Sequence, residues 1–185
     1  MNPLNPIERV DPVSDAAAYQ RLLIGLLGAD DPAVVQGSTP AELRQLVVDA
    51  GQYLRRRPAA AEWSVLELIG HIADAEMVST GRYRWILAHD EPEILPYDQD
   101  LWVERLRENE LEPADLLAPF EALRAANLAL WRRTPVGERT RFGIHRERGP
   151  ESYELTFRLI AGHDRFHVTQ ARQTLAAIWA SGRGA

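Results

Sequence analysis

The chain has 185 residues, with 21 Lys and Arg against 27 Asp and Glu, and a formal net charge of −6. This length is typical of a single domain, and the acidic balance disfavours a broad nucleic-acid-binding surface. Cysteine is absent from the sequence, which excludes disulfides, thiolate metal ligands and a cysteine nucleophile. Any bound metal ion must therefore be held by His, Asp or Glu side chains.

The beginning of the chain, MNPLNPIERV, lacks the basic and apolar regions of a secretory signal. No stretch approaches the roughly 18 uninterrupted apolar residues of a membrane span. These features predict a soluble, cytoplasmic protein without a membrane partner. Residues 1–14 contain three prolines and little pattern, so we interpret them as an N-terminal arm before a single domain over 15–185.

Capping signals predict three helices in the first half of the chain. Asp15 and Gly28 bound the first, over residues 16–27. The segment Thr39-Pro40-Ala41-Glu42 combines an N-cap, a first-turn proline and a capping-box glutamate, and so predicts a second helix over 39–57. Ser64 and Glu67 form another capping-box pattern, which predicts a third helix from Ser64 to about His89.

The second half begins with a proline-rich connection over residues 91–100, followed by a short helix over 100–107. Apolar residues at three-to-four spacing then predict a helix over 113–133 and a last helix over 152–179. Between them, only residues 141–144 suggest a brief extended segment. Four long helices with at least one long connection predict an all-α fold, a four-helix bundle with a crossover.

Two histidines, His163 and His167, lie on the apolar stripe of the last predicted helix. Residues four apart face the same way, so both imidazoles can reach one ion. A third histidine, His71, interrupts the stripe of the helix that begins near Ser64. Burying three unpaired imidazoles is costly, and one metal ion satisfies all three at once. Small residues beside them suggest space for a ligand: Gly70, Ala75, Ala161 and Gly162.

Ordinary structural roles are the alternative for each of these residues, because core histidines often bond a backbone carbonyl. We assign an ordinary role to His89, predicted to be exposed at a helix end where a cation suits the helix dipole, and to His145, in a charged loop. Glu76 is rotated away from the histidine face of its helix and is predicted to be a surface acid. The candidate metal ligands are therefore His71, His163 and His167.

Several segments together resemble the DinB/YfiT-like superfamily: WSVLELIGHIADAE, RYRWILAHDEPEILPYDQDLW and FGIHRERGPESYELTFRLIAGHDRFHVTQ. The resemblance extends from about Thr39 to Gln170 in the expected order. It implies a bundle with a long crossover, often dimeric, that binds a divalent metal through three histidines. Carried onto this chain, those ligands are His71, His163 and His167. The family includes thiol-dependent S-transferases, a maleylpyruvate isomerase and many proteins described only as metal-dependent hydrolases.

Three imidazoles leave the fourth position of a tetrahedral ion open, as in catalytic sites. Water there has its pKa lowered to about 7, whereas a small thiol from solution binds as a thiolate. Zinc and nickel both suit imidazole ligands. The resulting hypothesis is a thiol-dependent transferase or hydrolase of a small molecule, and the family resemblance implies that it is a homodimer. The competing hypothesis is a non-catalytic metal- or ligand-binding bundle.

Five further residues are weaker candidates for this site. Asp74, one turn after His71, can orient a histidine or act as a base. Arg82, three turns after His71 on the same face, can hold a substrate carboxylate. Gln170 continues the face of the histidine pair, and Trp63 and Trp102 flank the predicted mouth of the bundle. Asp74 is thus the candidate catalytic residue, and the other four are the candidate substrate-binding residues.

Overall fold

The computed structural model describes residues 15–182, which form six α-helices and one small sheet. The helices are α1 (Ala16–Leu27), α2 (Pro32–Ala50), α3 (Val65–Ala88), α4 (Gln99–Arg105), α5 (Pro113–Arg133) and α6 (Tyr153–Gly182). The strands are β1 (Glu93–Ile94), β2 (Phe142–His145) and β3 (Gly149–Ser152). The predicted N-terminal arm, residues 1–14, lies outside the described residues.

Four helices form the bundle, and α1 packs against it along α6. The principal helix contacts pair α3 with α6, α6 with α2, α2 with α5, and α5 with α3. A long crossover that contains β1 and α4 connects α3 to α5. The predicted all-α four-helix bundle with a crossover is therefore confirmed. Within residues 15–182, no helix is both long and apolar enough to cross a membrane.

Helix α2 begins seven residues earlier than predicted, at Pro32 rather than at Thr39. Asp31 caps it by accepting from the backbone N–H of Ala33 at 2.7 Å. Pro40, read as a helix start, lies inside the helix, where it cannot donate to the carbonyl one turn earlier. Arg124 of α5 donates to that carbonyl, of Gln36, at 3.0 Å. A tertiary contact therefore replaces the hydrogen bond that the proline removes.

The same helix also ends earlier than predicted, at Ala50 instead of Arg57. Gly51 stops it with φ +49°, a left-handed conformation that glycine adopts at little cost. The start of α3 agrees with prediction, because Ser64 and Glu67 form the complete capping box. The first turns of α3 are buried, and His71 lies among these buried residues.

The small sheet joins the crossover to the segment before α6. Strand β1 pairs parallel to β2, and β2 pairs antiparallel to β3. The extended segment predicted at 141–144 corresponds to β2, which ends on His145. Gly143 lies against the carbonyl of Pro92 and the side chain of Ile94, where an added Cβ has no room. The sheet thereby holds His145 against the bundle.

Candidate metal centre

The three predicted ligands meet between α3 and α6. The Nε2 atom of His71 lies 2.9 Å from that of His163 and 3.2 Å from that of His167. All three side chains are buried, with at most 8% of their surface exposed. One nitrogen from each ring lies within 4.8 Å of the others. The structure thus brings together the three residues that the sequence pattern selected.

These distances fit one shared cation. Two nitrogens on a tetrahedral zinc ion with bonds of about 2.05 Å lie roughly 3.3 Å apart. The observed separations of 2.9 and 3.2 Å are close to that value. Without a cation, converging lone pairs repel one another, and at most one proton can lie between each pair of nitrogens. The donor set therefore suits a divalent ion that prefers imidazole.

The three imidazoles are neutral in this environment. Burial lowers the pKa of His71 and His163, and the neighbouring histidines lower it further. Burial also lowers the pKa of His167, to about 4, although its hydrogen bond to Gln170 acts in the opposite direction. Neutral imidazole is the form that coordinates metal ions. Metal binding here requires no proton to be displaced at neutral pH.

Gln170 determines the orientation of one ligand. The Nδ1 atom of His167 lies 2.8 Å from the Gln170 Oε1 atom. Because an amide oxygen can only accept, Nδ1 carries the proton and Nε2 presents its lone pair to the other two rings. Gln170, predicted as a substrate-binding residue, lies one turn behind the site in this structure.

Buried ionic contacts fix the position of α6 next to His163. The adjacent Asp164 accepts from Arg124 at 2.5 Å and from the Thr39 hydroxyl at 2.8 Å. Arg124 also forms an ion pair with Glu76 at 2.9 Å. Glu76 is fully buried, so the prediction of a surface acid was wrong. Its helix face turns toward α5, where Arg124 and Asn127 bind it.

The glycines beside the histidines do not provide space for a ligand, contrary to the sequence prediction. A Cβ on Gly70 would overlap the carboxyl group of Glu108 from the crossover. A Cβ on Gly162 would overlap the backbone carbonyl of Leu23 in α1. Both glycines instead allow another segment of the chain to approach closely.

A cavity of about 580 Å³, here called the central cavity, extends away from His71 and His163. Its wall includes Ala75, Ser79 and Arg82 of α3, Thr156 and Ile160 of α6, Tyr97 of the crossover and His145 of β2. A volume of this size accommodates a small molecule. The three-histidine cluster therefore lies at the wall of a ligand-sized space.

His145 lines this cavity, which the sequence analysis did not predict. It is 1% exposed, although its position in a charged loop suggested only an ordinary structural role. Strand pairing buries it, and the sequence around it gives no periodic signal for that burial. His89 is exposed after the end of α3, as predicted.

The remaining candidates occupy different places. Arg82 lines the cavity, whereas Trp63 packs on the core with its ring 5.2 Å from the His71 ring. Trp102 packs against Tyr97 at 4.8 Å. Asp74 is half-buried, and its carboxyl group lies beside that of Glu108. Trp63, Trp102 and Asp74 are absent from the cavity wall formed by the described residues.

A helical bundle in which three buried histidines converge is typical of proteins that bind a metal ion between their helices. A family model described as the DinB superfamily matches residues 38–171. The chain belongs to the DinB superfamily, as its motifs indicated.

Two relatives share the name "Putative metal-dependent hydrolase". YfiT from Bacillus subtilis is 32% identical over 94 residues, which are 50% of this chain and 53% of that relative. A protein from Bacillus cereus is 28% identical over 141 residues, 74% of this chain and 80% of the relative. The solved structure of Bacillus subtilis YfiT, described as having an unusual four-helix bundle topology, matches with a TM-score of 0.69 at 22% identity. That match covers 92% of this chain and 90% of YfiT and concerns the fold.

Proposed function

We propose that this protein is a metal-dependent enzyme that acts on a small molecule. The observation that carries the proposal is the convergence of three buried imidazole nitrogens at the wall of a ligand-sized cavity. His71, His163 and His167 would hold the ion. When bound, the ion supplies Lewis acidity toward water or a small thiol at its open position. The names of the relatives support the hydrolase form of this proposal.

The chain's own residues orient the metal ligands and form the cavity beside them. Gln170 holds His167 with Nε2 toward the site, and His71 and His163 border the cavity from opposite helices. Asp74 is the proposed base, although its carboxyl group faces Glu108. Because the cavity wall offers no cysteine, transfer of sulfur would require a low-molecular-weight thiol as a cosubstrate.

Metal analysis tests the site directly. Protein purified without an affinity tag is expected to contain about one zinc or nickel ion per chain, measured by plasma mass spectrometry. His163→Ala and His167→Ala are expected to lose it, because two imidazoles cannot close the coordination sphere. His89→Ala removes an exposed histidine and is the matched control. Wild-type protein that stays metal-free after incubation with zinc and with nickel would refute the proposal.

A structural metal is the second candidate, because the cluster joins α3 to α6. A chelator distinguishes the two functions. If the apoprotein stays folded but loses activity in hydrolase and thiol-conjugation assays, the ion is catalytic; if removal unfolds the bundle, the ion is structural. Thiol dependence of that activity separates the transferase from the hydrolase.

The remaining expectations are also part of the proposal. Family membership supports a homodimer, which light scattering tests against a monomer mass of 20.8 kDa. We further propose action in the cytoplasm, without a nucleic-acid partner, and a single domain over 15–185. Substrate-binding roles for Trp63 and Trp102 stay predictions, because neither residue lines the cavity that the described residues form. Alanine variants with raised Michaelis constants and unchanged metal content would support them.

A further inference from the structure

We propose that Arg82 and His145 form a carboxylate-binding subsite in the central cavity, so that the substrate is an elongated small-molecule monoanion. The contacts of Arg82 and His145 are the evidence for the subsite, and only its role in catalysis rests on the proposed function. The sequence predicted only an ordinary structural role for His145. Both side chains belong to the same cavity wall as the metal ligands His71 and His163.

Arg82 is a buried cation without an anionic partner among residues 15–182. It is 8% exposed, and its Nη2 group donates to the backbone carbonyl of Leu95 at 2.8 Å. Its Nε–H group has no acceptor in that part of the chain. A buried guanidinium is costly unless an acceptor or an anion satisfies it. A ligand carboxylate in the cavity would supply both the acceptor and the charge.

His145 presents a second unsatisfied donor. Its Nδ1 atom accepts from the backbone N–H of Glu147 at 3.2 Å, so the proton of the neutral ring lies on Nε2. That Nε2–H group is buried and has no partner among the described residues. Burial, together with Arg148 and Arg82, lowers the pKa of His145 to about 4. The positive charges nearby therefore oppose protonation of His145 and favour an anion beside it.

The acidic neighbour cannot take the place of a ligand. Glu151 accepts from Arg148 at 2.6 and 2.9 Å and from Gln20 at 2.6 Å. This contact set uses both carboxylate oxygens and neutralises the charge of Arg148. Of the two arginines on the cavity wall, Arg82 is therefore the one that no described carboxylate pairs with.

The charge pattern selects a monoanion rather than a phosphate dianion. Asp98, Asp100 and Glu147 also line the cavity and repel a second negative charge. Arg82 follows His71 by eleven residues on α3, a rise of about 16 Å along the helix axis. One extended ligand can therefore place its carboxylate at Arg82 and its reacting group toward the histidines.

Calorimetric titration with hexanoate, and with hexanamide as its neutral analogue, tests the subsite in metal-loaded protein. Hexanoate is expected to bind at least about tenfold more tightly than hexanamide, because a charged hydrogen bond is lost in the amide. Arg82→Gln should weaken hexanoate about tenfold, and His145→Phe should weaken it severalfold. Arg132→Gln, which removes an exposed arginine of α5, should not change it.

His163→Ala separates this subsite from the metal centre, since hexanoate is expected to bind that variant as it binds wild type. Binding that is lost in His163→Ala but kept in Arg82→Gln would place the carboxylate at the histidines and overturn the subsite. Equal affinity for acid and amide, or no binding to wild type, would also overturn it. If Arg82→Gln does not fold, unchanged binding in folded His145→Phe overturns the assignment. Metal content identifies failure of the proposed function independently.

Discussion

A single side-chain contact determines how His167 faces the other histidines. We expect Gln170→Ala to weaken metal affinity about 10–100-fold, the usual effect of losing a residue that orients a ligand. The reason is that Oε1 of Gln170 accepts the Nδ1 proton and holds Nε2 toward the site. Competition with a chromophoric chelator measures the affinity.

Gln173→Ala provides the control, because Gln173 is an exposed residue of the same helix and should leave the affinity unchanged. Gln170→Glu should retain wild-type affinity or exceed it, since a carboxylate also accepts the Nδ1 proton and makes the imidazole more basic. Wild-type affinity in Gln170→Ala would contradict the orienting role.

The histidine ligands were predictable from sequence, whereas other residues around the cavity were not. His163 and His167 interrupt a helical apolar stripe, so their spacing alone indicates a shared face. His145 becomes buried through pairing of β2 with β1 and β3, a long-range contact that leaves no local pattern. Glu76 similarly depends on Arg124, 48 residues later in the chain. Local periodicity describes a helix face but not its distant neighbours.

At the scale of the elements, Arg124 joins α2, α3, α5 and α6. It is 1% exposed and binds the Gln36 carbonyl, Asp164 and Glu76. We expect Arg124→Met to lower the free energy of unfolding by about 3–5 kcal/mol, because it leaves buried carboxylates unpaired. Urea denaturation measures the change.

An exposed ion pair provides the comparison for this buried one. Arg44 of α2 binds Glu121 of α5, and both side chains are more than a third exposed. Arg44→Met should therefore cost no more than about 1 kcal/mol. Similar losses for the two variants would show that the buried cluster contributes no more than a surface pair.

Close packing of α1 on α6 requires the glycine at position 162. A Cβ there would overlap the backbone carbonyl of Leu23, which cannot move without displacing α1. We expect Gly162→Ala to destabilise the protein by about 1–3 kcal/mol in urea denaturation. Gly25→Ala in α1 should instead be stabilising by up to about 1 kcal/mol, because its Cβ meets open space. Stabilisation by Gly162→Ala would contradict the close contact.

Helix positions were mostly predictable, and the exception has a physical explanation. The limits of α1 follow from Asp15 and Gly28, α5 begins at Pro113, and α3 begins at its capping box. The prediction for α2 was wrong because Pro40 is a typical first-turn residue. Its location inside the helix depends on Arg124, which binds the carbonyl left free. A capping pattern cannot include that tertiary hydrogen bond.

At the scale of the whole molecule, connectivity limits what sequence can predict. Helix lengths and the long connection predict a bundle with a crossover, but not which helices are neighbours. In the structure, α3 packs on α6 and α2 packs on α5, so both pairs are distant in sequence. The histidine cluster depends on the packing of α3 on α6, because His71 lies on α3 and the other two histidines lie on α6. Three stripe histidines on two helices thus gave indirect information about topology.

A buried carboxyl group of the crossover, that of Glu108, packs on α3 beside the half-buried Asp74, which should make stability depend on pH. Glu108 packs against Gly70, and its carboxyl group lies beside that of Asp74. Burial, and next the neighbouring carboxyl group of Asp74, raise the pKa of Glu108 to about 9. The folded chain therefore holds a proton that the unfolded chain releases near its ordinary pKa of about 4.3.

The free energy of unfolding should consequently decrease as pH rises from about 6 to 9, because the folded state binds more protons throughout this range. For one proton, the slope is at most about 1.4 kcal/mol per pH unit. Glu108→Gln replaces the carboxyl group with an amide of the same shape that does not titrate, so the stability of this variant should depend less on pH. Glu110→Gln, which removes an exposed carboxylate from the same turn, should retain the wild-type slope. Urea denaturation at several pH values measures all three, and parallel curves for wild type and Glu108→Gln would contradict a protonated Glu108.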